Sequence, residues 1–271
     1  MMLQGWTLPQ SDTGRASILT PPPWHYSGEI IAVDFRADPG VVAALLPPEI
    51  EPTGDGSCTF VFADWCSASD ADARVRDDPA RGQYKEAYVV CYGAVADKPV
   101  GRVPFIWVDN DLSLVRGLIQ GFPKKLGQIA MTRPVEIGRG GVRKALGGRF
   151  AAHVSSLGRR LATAAVTLDE EHDKLFPRGI ATPLVHTRLW PAVDGDEPAV
   201  HELSRGTIQG FELGTVFSGS AVLELGGSEF EELDRLAPTE VGRGYVHSAA
   251  FSVVGATTTP AARLPETGAS A

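Results

Sequence analysis

Glycine and proline punctuate this chain throughout, 30 of one and 20 of the other in 271 residues. That density disfavours long helices and suits short strands joined by turns. Between the breaks lie strand-length runs rich in β-branched and aromatic residues: EIIAVDF (29–35), CTFVFADW (58–65), the apolar stretch 84–95 and VPFIWVDN (103–110). The second half has the same texture, with runs at 129–137, 147–158, 160–168 and 245–257. Three short helices are predicted. One lies within 38–50, where Asp38 caps, Pro39 sits in the first turn and Pro47–Pro48 stop it. A second covers 112–121 and closes on Gly121, and a third covers 229–238. A turn is expected at KPVG (98–101), a hairpin turn at IGRGGV (137–142), and solvated loops at 67–81 and 169–174.

These patterns predict an α+β protein, mainly mixed and antiparallel sheet with a few short helices. No composition break or fixed repeat divides the body. The expected organisation is an extended N-terminal arm over 1–23, one domain over 24–255 and a flexible tail over 256–271. A chain of this length buries most of its surface without metals or disulfides.

Charge narrows the partners. With 25 basic and 33 acidic residues the formal net charge is −8, which repels nucleic acid and anionic membrane surfaces. Three cysteines without a CxxC pair fit a reducing compartment, and the N-terminus lacks a signal-peptide pattern, so a cytoplasmic location is expected. LPETG at 264–268 matches a cell-wall sorting pentapeptide, but only three residues follow it, so it reads as a chance match. The six histidines have no zinc-like spacing, and no nucleotide-binding or hydrolase motif occurs. No metal and no cofactor are expected.

GFPKKLG, 121–127, places two adjacent lysines in an apolar, conformationally restricted segment. Pro123 keeps this segment out of a helix interior. In a strand, Lys124 and Lys125 point to opposite faces, so one should enter the interior and the other reach the outside. Burial disfavours the charged form of a lysine, and a neutral, fixed amine can add to a carbonyl. From these residues alone, two lysines running outward from an edge strand are the simpler account.

YKE at 84–86, VDND at 108–111, GFPKKLG at 121–127 and GYVHSAAF at 244–251 together resemble the acetoacetate decarboxylase superfamily over about residues 24–254. Acetoacetate decarboxylase is itself the standard example of an activated imine-forming lysine. The resemblance implies a barrel-like, cone-shaped β body, a homo-oligomer, Lys124 as the imine-forming lysine with Lys125 beside it, and Glu86 as an acidic pocket residue.

The departures matter too. Where decarboxylases carry an arginine before a glutamate, this chain has Gly28 before Glu29, and Val61 stands near a second expected pocket glutamate. This resembles the superfamily branch that uses the lysine for aldol condensation and dehydration, or cyclodehydration, of 2-oxo acids such as pyruvate. Gln120, Tyr84 and Tyr245 are the candidate replacements, with Arg116 or Arg36 as a possible carboxylate partner. The expected activity is therefore a Schiff-base lyase acting on a small keto acid and an aldehyde. A 3-oxo acid decarboxylase and a non-catalytic small-molecule binding protein are the alternatives.

Overall fold

The computed structural model describes residues 2–195 and 197–261. Its strands are β1 (Trp24–Arg36), β2 (Glu51–Pro52), β3 (Ser57–Ser69), β4 (Gln83–Val95), β5 (Lys98–Val108), β6 (Lys124–Leu126) and β7 (Gln128–Met131). They continue with β8 (Arg149–Ser156), β9 (Arg159–His172), β10 (His186–Pro191), β11 (Pro198–Leu213), β12 (Val216–Leu225) and β13 (Glu240–Pro260). The helices are α1 (Pro39–Ala44), α2 (Arg74–Asp77), α3 (Pro79–Gly82), α4 (Asp111–Gln120) and α5 (Arg178–Ala181).

All the strands join one mixed sheet, whose main path runs β6-β5-β4-β3-β1-β13-β12-β9-β8-β7. The two ends of that path, β6 and β7, are separated in sequence by Gly127 alone, so the sheet curls nearly back onto itself. Residues from both arms of the curl, including Val33, Phe60, Phe62, Val89, Phe150, Leu161 and Val166, meet in one core. Hydrophobic burial fills this barrel-like interior.

The opposite face of β1, β3, β4 and β5 is buried as well. Trp24, Tyr26, Ile30, Trp65, Tyr84, Tyr88 and Ile106 form a second core there. This is possible because β13 serves two partners. Its Arg243–Val246 stretch pairs with β12, whereas Ala249–Pro260 pairs with β11. The β10–β11 hairpin thus branches off the main path and helps to cover the second core, together with α4 and α5.

Several local expectations are met for the stated reasons. Asp38 caps α1 by accepting from the Gly40 and Val41 N–H groups, with Pro39 in the first turn. Asn110 caps α4, and Gly121, left-handed with φ 96°, ends it. Others are corrected. The β4–β5 turn is Ala96–Asp97, both with positive φ as a two-residue hairpin demands, and KPVG already belongs to β5. Only Leu233–Leu236 of the third predicted helix coils, as a single 3-10 turn. Segment 169–174 is largely strand, because β9 runs through His172 against β12. The 137–142 segment joins Pro134 to Val142 by a parallel bridge, so it is not a hairpin turn. Within 67–81, β3 extends to Ser69 and α2 and α3 follow.

The N-terminal arm is folded on itself through a Gln4–Ser11 bridge, and Trp6 packs edge-on against Trp24. At the other end β13 continues through Pro260, which pairs with Glu202, so 256–260 is strand. LPETG lies outside the described residues.

Candidate active site

The site is built where β4, β5, α4 and β6 converge. Asp109, just past β5, accepts from the Lys85 N–H at 2.7 Å and donates its own N–H to the Lys85 carbonyl. Asn110 then caps α4 while its side chain donates to the Ala80 carbonyl. The VDND segment therefore fixes where α4 starts. After α4, the chain turns at Gly121 and returns as β6, parallel to β5, with Lys124 opposite Ile106.

Period-two alternation then separates the lysines. The Lys124 side chain is 8 % exposed, and its Nζ donates to Glu86 Oε2 and to Ser113 Oγ, both at 3.0 Å. Tyr84 and Phe122 present their rings to the same ammonium, each centroid 5.6 Å away. Lys125 leaves by the other face and bonds Glu231 Oε2 at 2.9 Å and the Phe230 carbonyl. The buried lysine thus enters the second core on the outer face of the sheet, beneath α4, rather than the barrel interior.

Close approach makes room for it. A Cβ on Gly117, in the middle of α4, would lie 2.3 Å from Lys124 Cδ and 2.5 Å from Cε, so the lysine stem lies directly on helix backbone.

Burial lowers the Lys124 pKa from its ordinary value, opposed by the Glu86 carboxylate and assisted by the Arg116 charge. Glu86 is held on its other oxygen by Trp65 Nε1 at 2.8 Å. Tyr84, fully packed behind this pair, has its phenol pushed well above the usual tyrosine value by burial and by Glu86.

Arg116 is 3 % exposed, donates to the Tyr26 hydroxyl at 3.1 Å and lies over the Trp24 and Tyr26 rings. Its Nε has no hydrogen-bond partner among the described residues. Gln120, one turn on, donates to the Arg116 carbonyl at 3.1 Å, which leaves one amide N–H and its oxygen for a ligand.

Beside this cluster opens a cavity of about 440 Å³, with Glu86, Trp65, Gln120, Phe122 and His186 among its lining residues. His186 was not anticipated from the sequence. It is 3 % exposed, with both ring nitrogens unpartnered and a pKa pushed down to about 3 by burial, so it is a neutral imidazole at physiological pH. Its ring packs on Phe122 with centroids 3.7 Å apart. Ser113 and Trp65 were missed too. Ser113 lies one and two turns before Gly117 and Gln120, so helical period could have put it on the lysine-facing side of α4.

Of the other candidates, Lys124, Glu86, Tyr84, Gln120 and Arg116 come together, but three do not. Tyr245 lines a separate depression with Asp34 and Arg178. Glu29 is held by Lys144 at 2.9 and 3.0 Å and by Ser248 at 2.8 Å, away from Lys124, because odd positions of β1 face away from the second core. Arg36 pairs with Asp55 and Glu240. Gly28 does lie on the Lys124 side of the sheet, but a Cβ there would meet a Trp65 ring carbon at 2.5 Å. Trp65 therefore occupies the space an arginine would need. Val61 is buried in the second core.

The sequence matches the family described as acetoacetate decarboxylase (ADC) over residues 7–263. The chain belongs to the acetoacetate decarboxylase family. Among solved structures it is similar to the enduracididine biosynthesis enzyme MppR complexed with the condensation product of pyruvate and imidazole 4-carboxaldehyde. That pair is 37 % identical, with TM-score 0.89, over 95 % of this chain and 97 % of that one. A structure of MppR complexed with pyruvate is also similar, at 37 % identity and TM-score 0.88, covering 95 % and 98 %. An acetoacetate decarboxylase-like enzyme from Sphingomonas wittichii RW1 is 27 % identical, with TM-score 0.86, over 95 % of this chain and all of that one. The acetoacetate decarboxylase of Legionella pneumophila subsp. pneumophila str. Philadelphia 1, at 16 % identity, TM-score 0.71 and coverage of 89 % and 88 %, shares the fold. No curated protein matches the sequence. In this family member no described helix is long and apolar enough to cross a membrane. No group of three or more His, Cys, Asp or Glu residues is placed to hold a metal ion among the described residues.

Proposed function

We propose that this family member is a Schiff-base lyase that condenses a small 2-oxo acid such as pyruvate with an aldehyde and then dehydrates the product. The observation that carries this reading is the buried Lys124 amine, 3.0 Å from Glu86 beside a cavity, with its pKa lowered by burial. The similarity to MppR bound to pyruvate and to a pyruvate–aldehyde condensation product supports the substrate class.

Lys124 hands a proton to Glu86 and attacks the ketone carbon; loss of water leaves an iminium. The iminium makes the adjacent methyl acidic, and Glu86, aided by Tyr84, takes a proton from it to give the enamine. The enamine carbon bonds to the aldehyde carbon while the aldehyde oxygen collects a proton. Loss of a second proton from the former methyl and of the new hydroxyl as water forms the double bond. Water then hydrolyses the iminium and releases Lys124. The substrate carboxylate is assigned to Arg116 and Gln120, since Arg116 is a buried cation with no carboxylate partner among the described residues. The chain is further proposed to work as a homo-oligomer in the cytoplasm.

Borohydride reduction in the presence of pyruvate tests the reading by intact mass. An adduct on Lys124, absent from Lys124→Ala, is the expected result. An acetone-derived adduct from acetoacetate, with no pyruvate adduct, would favour decarboxylation. No adduct with either acid would leave a non-catalytic binding protein as the better account.

A further inference from the structure

The cavity lining combines the polar side chains of Glu86, Gln120 and His186 with the apolar, largely aromatic side chains of Phe176, Ile208, Phe211 and Phe251. Phe176 and Phe211 face each other with ring centroids 6.2 Å apart at 32°, a spacing close to the upper end of the range over which aromatic rings attract. Phe251 stacks on Tyr26 at 5.1 Å, and Tyr26 receives the Arg116 hydrogen bond.

Ionic groups in the lining are few. Glu86 is engaged through its two oxygens by Trp65 Nε1 and Lys124 Nζ. His186 is neutral. The remaining charge is Arg205 of β11, whose guanidinium is exposed and has no ion pair among the described residues. An aldehyde that enters this cavity therefore meets an aromatic wall and one unpaired cation. An incoming cation would meet Arg205 as a like charge.

We propose that Arg205 sets the charge preference of this cavity for the aldehyde electrophile, favouring a carboxylate-bearing ring over a cationic one. The proposal rests on the aldol-dehydratase reading for its chemistry: pyruvate and the aldehyde join through one new carbon–carbon bond, and one water leaves. No oxidant or reductant is consumed. Arg205 touches the substituent and not the reacting atoms, so it determines specificity rather than rate for neutral substrates.

Two non-reacting analogues separate selectivity from catalysis: 4-(hydroxymethyl)benzoate and its 4-trimethylammonium counterpart, titrated calorimetrically into the full chain. The benzoate should bind more tightly by roughly fivefold, the scale of one exposed charge pair, and the difference should shrink at high salt. Arg205→Glu should reverse the order, and Arg205→Ala should abolish the preference. In turnover with pyruvate, Arg205→Glu should raise KM for 4-carboxybenzaldehyde and leave benzaldehyde within about twofold, since only the charged pair has been altered. Equal binding of the two analogues, or a preference that Arg205→Glu leaves unchanged, would overturn the proposal. Absence of a borohydride-trapped pyruvate adduct would overturn the imine chemistry instead, while the binding order would still report on Arg205.

Discussion

Lys124 and Lys125 are neighbours in one three-residue strand, yet they live in opposite electrostatic worlds. Lys124 has an 8 % exposed side chain in the second core, and its carboxylate partner Glu86 is 11 % exposed, so neither end of that pair is well solvated. Lys125 is 51 % exposed, and only its partner Glu231, at 1 %, is buried. In the first pair burial perturbs the lysine toward the neutral amine that carbonyl addition needs. In the second the lysine stays in water, and its task is to neutralise a buried carboxylate also held by Trp107 Nε1 at 3.2 Å. The same residue type supplies reactivity on one face and stability on the other, because the pleat of a strand alternates the environment.

The sharpest way to break this comparison is to truncate each lysine in turn. Lys124→Ala should abolish the trapped pyruvate adduct, with a stability cost of its own because the buried Glu86 loses a partner. Lys125→Ala should keep the adduct and cost about 1–3 kcal/mol, the usual penalty for a buried polar group left short of partners. Equal loss of adduct in both variants would erase the distinction.

Gly117→Ala tests the close approach of helix and lysine. Alanine favours an exposed helix interior over glycine by about 1 kcal/mol, but here its methyl would strike the Lys124 stem. The expected result is a drop in kcat of roughly a hundredfold, the scale of a small displacement of a catalytic group, measured alongside a circular dichroism melt that shows the fold retained.

Glu86→Gln removes the proton acceptor and should slow enamine formation by about 10²–10⁴-fold, read as exchange of the pyruvate methyl protons in deuterated water. Glu86 also raises the Lys124 pKa, so its loss should lower that pKa further. The acid limb of the imine-formation rate should therefore move to lower pH.

A pH effect concerns the neutral histidines that lie on the Lys124 side of the sheet. His186 is pushed down to about 3 and His247 to about 4, each by burial, from an ordinary 6.5. The unfolded chain binds more protons than the folded one between those values, so stability present above pH 6.5 is lost as pH falls toward 4. Each histidine contributes a slope of up to about 1.4 kcal/mol per pH unit. Denaturant melts from pH 7 to pH 4 should show it, and His186→Phe should flatten it.

Much of this layout was legible in the sequence because it depends on local rules. Pro123 and Gly121 end α4 and launch a strand, and alternation along that strand separates two lysines wherever it is placed. Asp38 and Asn110 cap by short-range bonds, and YKE puts Tyr84 and Glu86 on one face by period two. The failures have one cause. Tyr245 and Glu29 have the right residue types, but which surface their strand faces adjoin depends on how β13 divides itself between β12 and β11. No stretch of sequence encodes that division locally. His186, Trp65 and Arg205 reach the cavity from β10, β3 and β11, elements that meet only through non-local pairing.

The sequence by itself therefore determined a β-rich chain with short capped helices, and a lysine bound to be buried if its segment was a strand. It also carried the family motifs around that lysine. Only the tertiary structure decided which surface receives Lys124, that Trp65 fills the space beside Gly28, and that Phe176, Phe211 and Arg205 line one cavity with Glu86. Backbone dihedrals and side-chain alternation are set within a few residues, whereas cavity shape and desolvation arise from segments 90 to 124 residues apart brought into contact.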